Sequence, residues 1–133
     1  MAVTARRSSK IADGWQVLDK SDLSAAKNVA GIYEFTTSTG KKYIGQSKDI
    51  AKRLAQHGGR VADGGQILFK KIDVDIPGLD AKTVREIAEQ VQIEKFLGRR
   101  VEKGFTTDRL ENLVNPIGKA RLEMYNKYKD LFG

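Results

Sequence analysis

The sequence predicts a small α/β (α+β) domain: a three-stranded, mostly antiparallel sheet flanked by helices. Three observations carry this expectation. Two strand-like runs, 29–35 and 41–46, bracket the turn residues Thr37-Ser38-Thr39-Gly40, and a third run follows at 66–74. Amphipathic segments with a 3.6-residue period come after the second and third runs. The chain has 133 residues, 40% hydrophobic and 31% charged, which suits one domain with one hydrophobic core.

Each element has its own local reason. Met1 to Lys10 is small, polar and basic without periodicity and reads as a loose N-terminus. Trp15, Val17 and Leu18 supply an apolar anchor, and Ser21 to Asn28 reads as a short helix capped at Ser21 or Asp22. Residues 1–28 are thus expected to be an N-terminal extension, and 29–133 the main domain. A three-residue loop, Ser38-Thr39-Gly40, would set Phe35 opposite Tyr43 and put Tyr33, Phe35 and Tyr43 on one sheet face. A one-residue slip would reverse every side chain. Ser47 or Asp49 can cap a helix running to about His57, which Gly58-Gly59 ends. Its apolar stripe is Ile50 and Leu54, with Arg53 and His57 sharing the adjacent face. After Pro77-Gly78, Asp80 or Thr83 can cap a long helix to about Leu97. Arg99 to Asp108 reads as a basic loop, Asn112 to Pro116 as a turn, and Gly118 to Leu131 as a closing basic helix.

Composition excludes several kinds of chemistry. With no cysteine, disulfide scaffolds, thiolate zinc sites and cysteine nucleophiles are ruled out. A single histidine rules out His-rich metal sites, so a metal would be held mainly by carboxylates, which suits Mg²⁺ or Mn²⁺. No apolar run approaches the ~18–20 residues that span a bilayer, and no signal-peptide pattern opens the chain. The net charge is +7, with 8 basic against 3 acidic residues in 31–71. Residues 72–98 reverse this, with 3 basic and 6 acidic. The excess points to a polyanionic partner met by residues 31–71.

The polar residues form a chemically suggestive set. Along the long helix, Val84, Ile87, Ala88 and Val91 form one stripe, while Glu89 falls between Ile93 and Phe96 on a second apolar flank. A carboxylate among apolar neighbours needs a partner, because burying it unpaired is costly. A cation is one such partner, and Arg85 four residues earlier is another. Phosphodiester hydrolysis calls for a carboxylate-held cation, an arginine facing the phosphate and a group that handles the proton of water. Glu89, Arg53, and Tyr33, Tyr43 or His57 supply those types.

Gly31-Ile32-Tyr33 followed by Tyr43-Ile44-Gly45 resembles the name-giving signature of the GIY-YIG nuclease superfamily. Arg53 and His57 lie at the spacing of that family's first helix. Glu89, within Arg85-Glu86-Ile87-Ala88-Glu89-Gln90, is similar to the metal-binding glutamate of its central helix. Asn112 to Ile117 resembles its late asparagine segment, so the likeness runs from about Val29 to Ile117.

The resemblance implies a single-metal nuclease site. Tyr33 would be the base or orient water, and Tyr43 would assist. Arg53 would stabilise charge on the phosphate, and His57 would relay protons or position the phosphate. Glu89 would hold Mg²⁺ or Mn²⁺, with Glu94 as its rival, and Asn115 or Asn112 would support the site. Gly45 would let the backbone approach helix or substrate closely. Because the catalytic module takes up nearly the whole chain, the sequence is most similar to stand-alone nuclease domains at the C-termini of bacterial polymorphic toxins. That likeness implies a monomer delivered to act in a target cell's cytoplasm, restrained by an acidic immunity protein. The expected activity is a metal-dependent endonuclease acting on DNA. The alternatives are the same chemistry on RNA, for example tRNA, and a non-catalytic nucleic-acid-binding module.

Overall fold

The computed structural model describes residues 14–64, 66–97, 117 and 121–132. Four strands make one sheet: β1 (Trp15–Leu18), β2 (Gly31–Thr36), β3 (Lys42–Ser47) and β4 (Ile67–Lys71). Their order is β1-β4-β2-β3, and every neighbouring pair is antiparallel. Among the described residues three α-helices accompany the sheet: α1 (Ile50–His57), α2 (Ala81–Leu97) and α3 (Leu122–Tyr128). The architecture is the expected α+β one, with four strands in place of three. The added strand is Trp15–Leu18, which pairs with β4 and buries Leu18, so the sheet reaches back into the segment read as an N-terminal extension. Between Ser21 and Asn28 the chain forms a single 3-10 turn, Ser24–Ala26, with the Asp22 carboxylate accepting the Ser24 amide.

The β2–β3 hairpin follows the expected register. Thr37 N–H donates to the Lys41 carbonyl across a Ser38-Thr39-Gly40 loop, and Gly40 takes φ +88°, open to glycine without strain. Phe35 therefore faces Tyr43, and Tyr33 faces Gly45. Period-2 alternation sends Tyr33, Phe35 and Tyr43 to one face, with Ile50 and Leu54 of α1 packed there. Asp49 caps α1 by accepting the Lys52 amide, and Gly58 ends it at φ +49°.

The opposite face lies against α2. Ile44 of β3 packs with Ile93 and Leu97, while Ile87 and Val91 turn toward Ile117 and Tyr125 of α3. The long helix is thus buried from two sides, and Val84, Ile87, Ala88 and Val91 are all buried. Asp80 rather than Thr83 caps it, its carboxylate accepting the Thr83 amide at 2.8 Å. Buried Glu34 ties helix to sheet, receiving Lys42 at 3.0 Å and Gln92 at 2.8 Å. With both carboxylate oxygens satisfied, this buried charge is compensated. Among the described residues no helix is long and apolar enough to cross a membrane.

Candidate active site

The site begins at the edge strand β3 and its hairpin partner. An ideal Cβ on Gly45 would lie 2.6 Å from Cζ and from the hydroxyl oxygen of Tyr33, so the missing side chain is the slot that the Tyr33 ring occupies. That corrects the expectation that Gly45 admits a helix or a substrate. Tyr33 is fully buried, stacked with Phe35 at 6.3 Å and with Tyr43 at 6.2 Å. Tyr43 is only half-buried.

His57, in the last turn of α1, meets the aromatic cluster edge-on, 4.7 Å from the Tyr43 ring and 5.1 Å from Phe35. Its Nε2 lies 2.9 Å from the Tyr33 hydroxyl. Burial, then the charges of Arg60 and Arg53, push its pKa down to about 4, so the ring is neutral near pH 7. Arg53, one turn earlier, is exposed, and its charge favours the ionised form of both phenols, against the larger effect of their burial. Burial raises the pKa of both phenols, most strongly that of Tyr33, so both are protonated at neutral pH.

Glu89 joins the cluster from α2. Its charge is felt by both tyrosines and it feels that of Arg53. Among the described residues neither a hydrogen bond nor an ion pair ties down its carboxylate, and Arg85 is turned instead to Gln46, at 2.9 Å. Burial, with Glu86 adding repulsion and Arg53 opposing it, raises the Glu89 pKa to about 8. Glu94 has another place: it accepts Tyr125 and Gln90, both at 2.9 Å, on the side facing α3. The structure therefore gathers Tyr33, Tyr43, Arg53, His57 and Glu89, and sets Glu94 apart. Asn112 and Asn115 lie outside the described residues.

No group of three or more His, Asp or Glu side chains converges among the described residues, and Glu89 is the carboxylate that lies with the phenols and Arg53. That donor set fits Mg²⁺, which keeps several waters and takes one or two carboxylates plus substrate phosphate. The buried, under-compensated carboxyl is what a cation would stabilise.

Two features escaped the sequence reading. Arg60, just past α1, lies 4.9 Å over the Tyr43 ring and 3.3 Å from His57 Nδ1. A cavity of about 370 Å³ opens beside Arg53, lined also by Lys48, Lys52, Lys82 and Arg85. The charge excess of residues 31–71 was the signal for its β3–α1 wall. For Lys82 and Arg85, within an acidic stretch, there was none.

Paired phenols, an exposed arginine, a neutral histidine and a buried carboxylate thus lie together beside a basic cavity. Residues 29–76 match the family model of the GIY-YIG catalytic domain, a nuclease domain. The matched stretch covers just over a third of the chain and includes Tyr33, Tyr43, Arg53 and His57, while Glu89 lies beyond it. Neither a curated protein nor a solved structure matches the chain.

Proposed function

We propose that the chain is a metal-dependent endonuclease that hydrolyses phosphodiester bonds, with DNA as the first substrate and RNA, such as tRNA, as the alternative. The observation that carries this reading is the convergence of Tyr33, Tyr43, Arg53, His57 and Glu89, from four separate elements, on one edge of the sheet. A binding module would need the cations but not a buried carboxylate beside stacked phenols, one of them bonded to a histidine.

The residues divide the work by exposure and charge. Arg53, exposed beside the phenols, compensates the charge that builds on the phosphate in the transition state. Half-buried Tyr43 is the phenol that solvent water reaches, and fully buried Tyr33 holds it in place from below. Both phenols orient water and phosphate by hydrogen bonds. Neutral His57 adds no charge and fixes the Tyr33 hydroxyl. Glu89 would hold Mg²⁺ or Mn²⁺, which supplies charge that stabilises the leaving oxygen.

Purified protein incubated with plasmid and with total RNA, in Mg²⁺ or in EDTA, tests the reading. Cleavage of either polymer in Mg²⁺ is expected, with Arg53→Ala and Glu89→Gln each losing about 100-fold or more. Survival of both polymers in Mg²⁺ would refute it. The toxin role is also proposed, with action in the cytoplasm of a target cell as a monomer and an acidic immunity partner. It is supported by the +7 charge and by the resemblance of the sequence. Induced expression in bacterial cytoplasm should arrest growth, and Glu89→Gln should relieve the arrest.

A further inference from the structure

We infer that the basic cavity between α1 and α2 is a second phosphate subsite, which holds a backbone phosphate flanking the one that Arg53 meets. Lys48 and Lys52 form one wall, Lys82 and Arg85 the other, and Arg53 belongs to both cavity and catalytic cluster. The argument rests on how charge is compensated. Lys20, Lys42 and Arg121 are each neutralised by a carboxylate, Asp63 at 2.9 Å, Glu34 at 3.0 Å and Glu86 at 2.9 Å. None of the five cavity cations makes an ion pair with a described residue. The cavity's acid, Asp49, is taken up by the amides of Lys52 and Asn28. Arg85 is aimed by its Nε bond to Gln46, which leaves its other guanidinium donors for an anion. Five cations gathered around one lining carboxylate leave an excess of positive charge, and a phosphodiester relieves their mutual repulsion.

This subsite deepens the nuclease reading but is tested apart from cleavage. Fluorescence anisotropy of a short fluorescein-labelled single-stranded DNA, in EDTA over a salt series, measures binding alone. Lys82→Ala and, on the opposite wall, Lys52→Ala should each weaken binding and reduce the log–log salt slope by about 0.7. Lys127→Ala removes the same charge from α3 and should leave the slope in place. Equal effects from all three, or no binding by the unaltered protein, would overturn the subsite. Loss of cleavage with these slopes intact would overturn only the enzyme reading.

A different observation carries a second inference. The geometry points to Arg60 as a positioning residue that fixes the tautomer of His57. Arginine only donates hydrogen bonds, so the 3.3 Å contact from Arg60 Nη1 requires Nδ1 to be the bare, accepting nitrogen. The ring proton then sits on Nε2, which donates to the Tyr33 hydroxyl at 2.9 Å. His57 thus serves as a donor to Tyr33 and not as a base that draws its proton.

His57 is the sole histidine, so its ¹⁵N resonances need no assignment. At neutral pH the unaltered protein should show a pyridine-like Nδ1 and a pyrrole-like Nε2. Arg60→Ala should populate the Nδ1–H form, and Arg60→Lys, which keeps a donor, should restore the Nε2–H form. A protonated Nδ1 in the unaltered protein would overturn the inference, as would an unchanged tautomer in folded Arg60→Ala.

Discussion

Gly45→Ala reverses the usual sign of a glycine substitution in a strand. Gly45 lacks a positive φ, so its backbone accepts alanine, and the ordinary expectation is a gain of roughly 0.5–1 kcal/mol. Here the new Cβ would lie 2.6 Å from two Tyr33 atoms, against the ~3.5–4.0 Å of normal carbon contacts. The Tyr33 ring must move by about 1 Å, and it is fully buried between stacked neighbours. Overpacking of this kind costs about 1–3 kcal/mol. Pulling the hydroxyl from His57 Nε2 adds roughly 0.5–1.5 kcal/mol. Net of the strand gain, Gly45→Ala should destabilise by about 2 kcal/mol. Urea denaturation of the unaltered protein, Gly45→Ala, Tyr33→Leu and the double variant isolates the cause. Leucine at 33 lacks the clashing atoms, so only the strand gain should remain there, giving a coupling of about 3 kcal/mol. Tyr33→Phe keeps Cζ and should rescue little. Additive effects, or a stabilised Gly45→Ala, would refute the reasoning.

Other outcomes follow from the buried charges. The Glu89 carboxyl holds its proton to about pH 8 when folded, against an ordinary 4.5, so its burial costs stability increasingly as pH rises through that window. Glu89→Gln should therefore stabilise more at pH 8 than at pH 5 in urea melts, and Mg²⁺ should raise the melting temperature of the unaltered protein but not of this variant. The His57 pKa of about 4, below an ordinary 6.5, has the opposite slope: stability falls as pH drops from 6.5 toward 4, by at most about 3 kcal/mol. His57→Gln should flatten that acid limb. Tyr125→Phe removes a 2.9 Å donor from Glu94 and should cost about 1–3 kcal/mol in stability while leaving cleavage per folded molecule intact.

Elements written in local chemistry were legible in the sequence. A glycine three residues into a turn fixed the hairpin register, and an aspartate before each of α1 and α2 fixed their starts. The α2 stripe was legible because a helix packed on two sides displays its period. β1 was not read as a strand, for it is four residues long at a sheet edge and its two middle residues are exposed. Such a strand carries no alternation and exists only because β4 offers unpaired backbone. Arg60 was missed for a similar reason. Gly58-Gly59 marks the end of a helix, but where the next side chain lands depends on how that turn folds back over Tyr43, which spacing does not encode.

The two signature tripeptides thus mix packing with chemistry. An ideal Cβ on Gly31 would lie 2.0 Å from the Lys70 carbonyl oxygen, backbone of the neighbouring strand, so Gly31 is required for β2 and β4 to pair. Gly45 is required by the Tyr33 ring. Ile32 and Ile44 are core residues, leaving Tyr33 and Tyr43 as the chemical content of the six. A catalytically silent protein of this fold would still need both glycines and both isoleucines to close its sheet. It would have no such need of an exposed arginine whose charge acts on the buried phenols, or of a buried glutamate held at a pKa of about 8 with no hydrogen bond or ion pair from the described residues. Arg53 and Glu89, rather than the signature itself, are therefore the residues on which the nuclease reading stands.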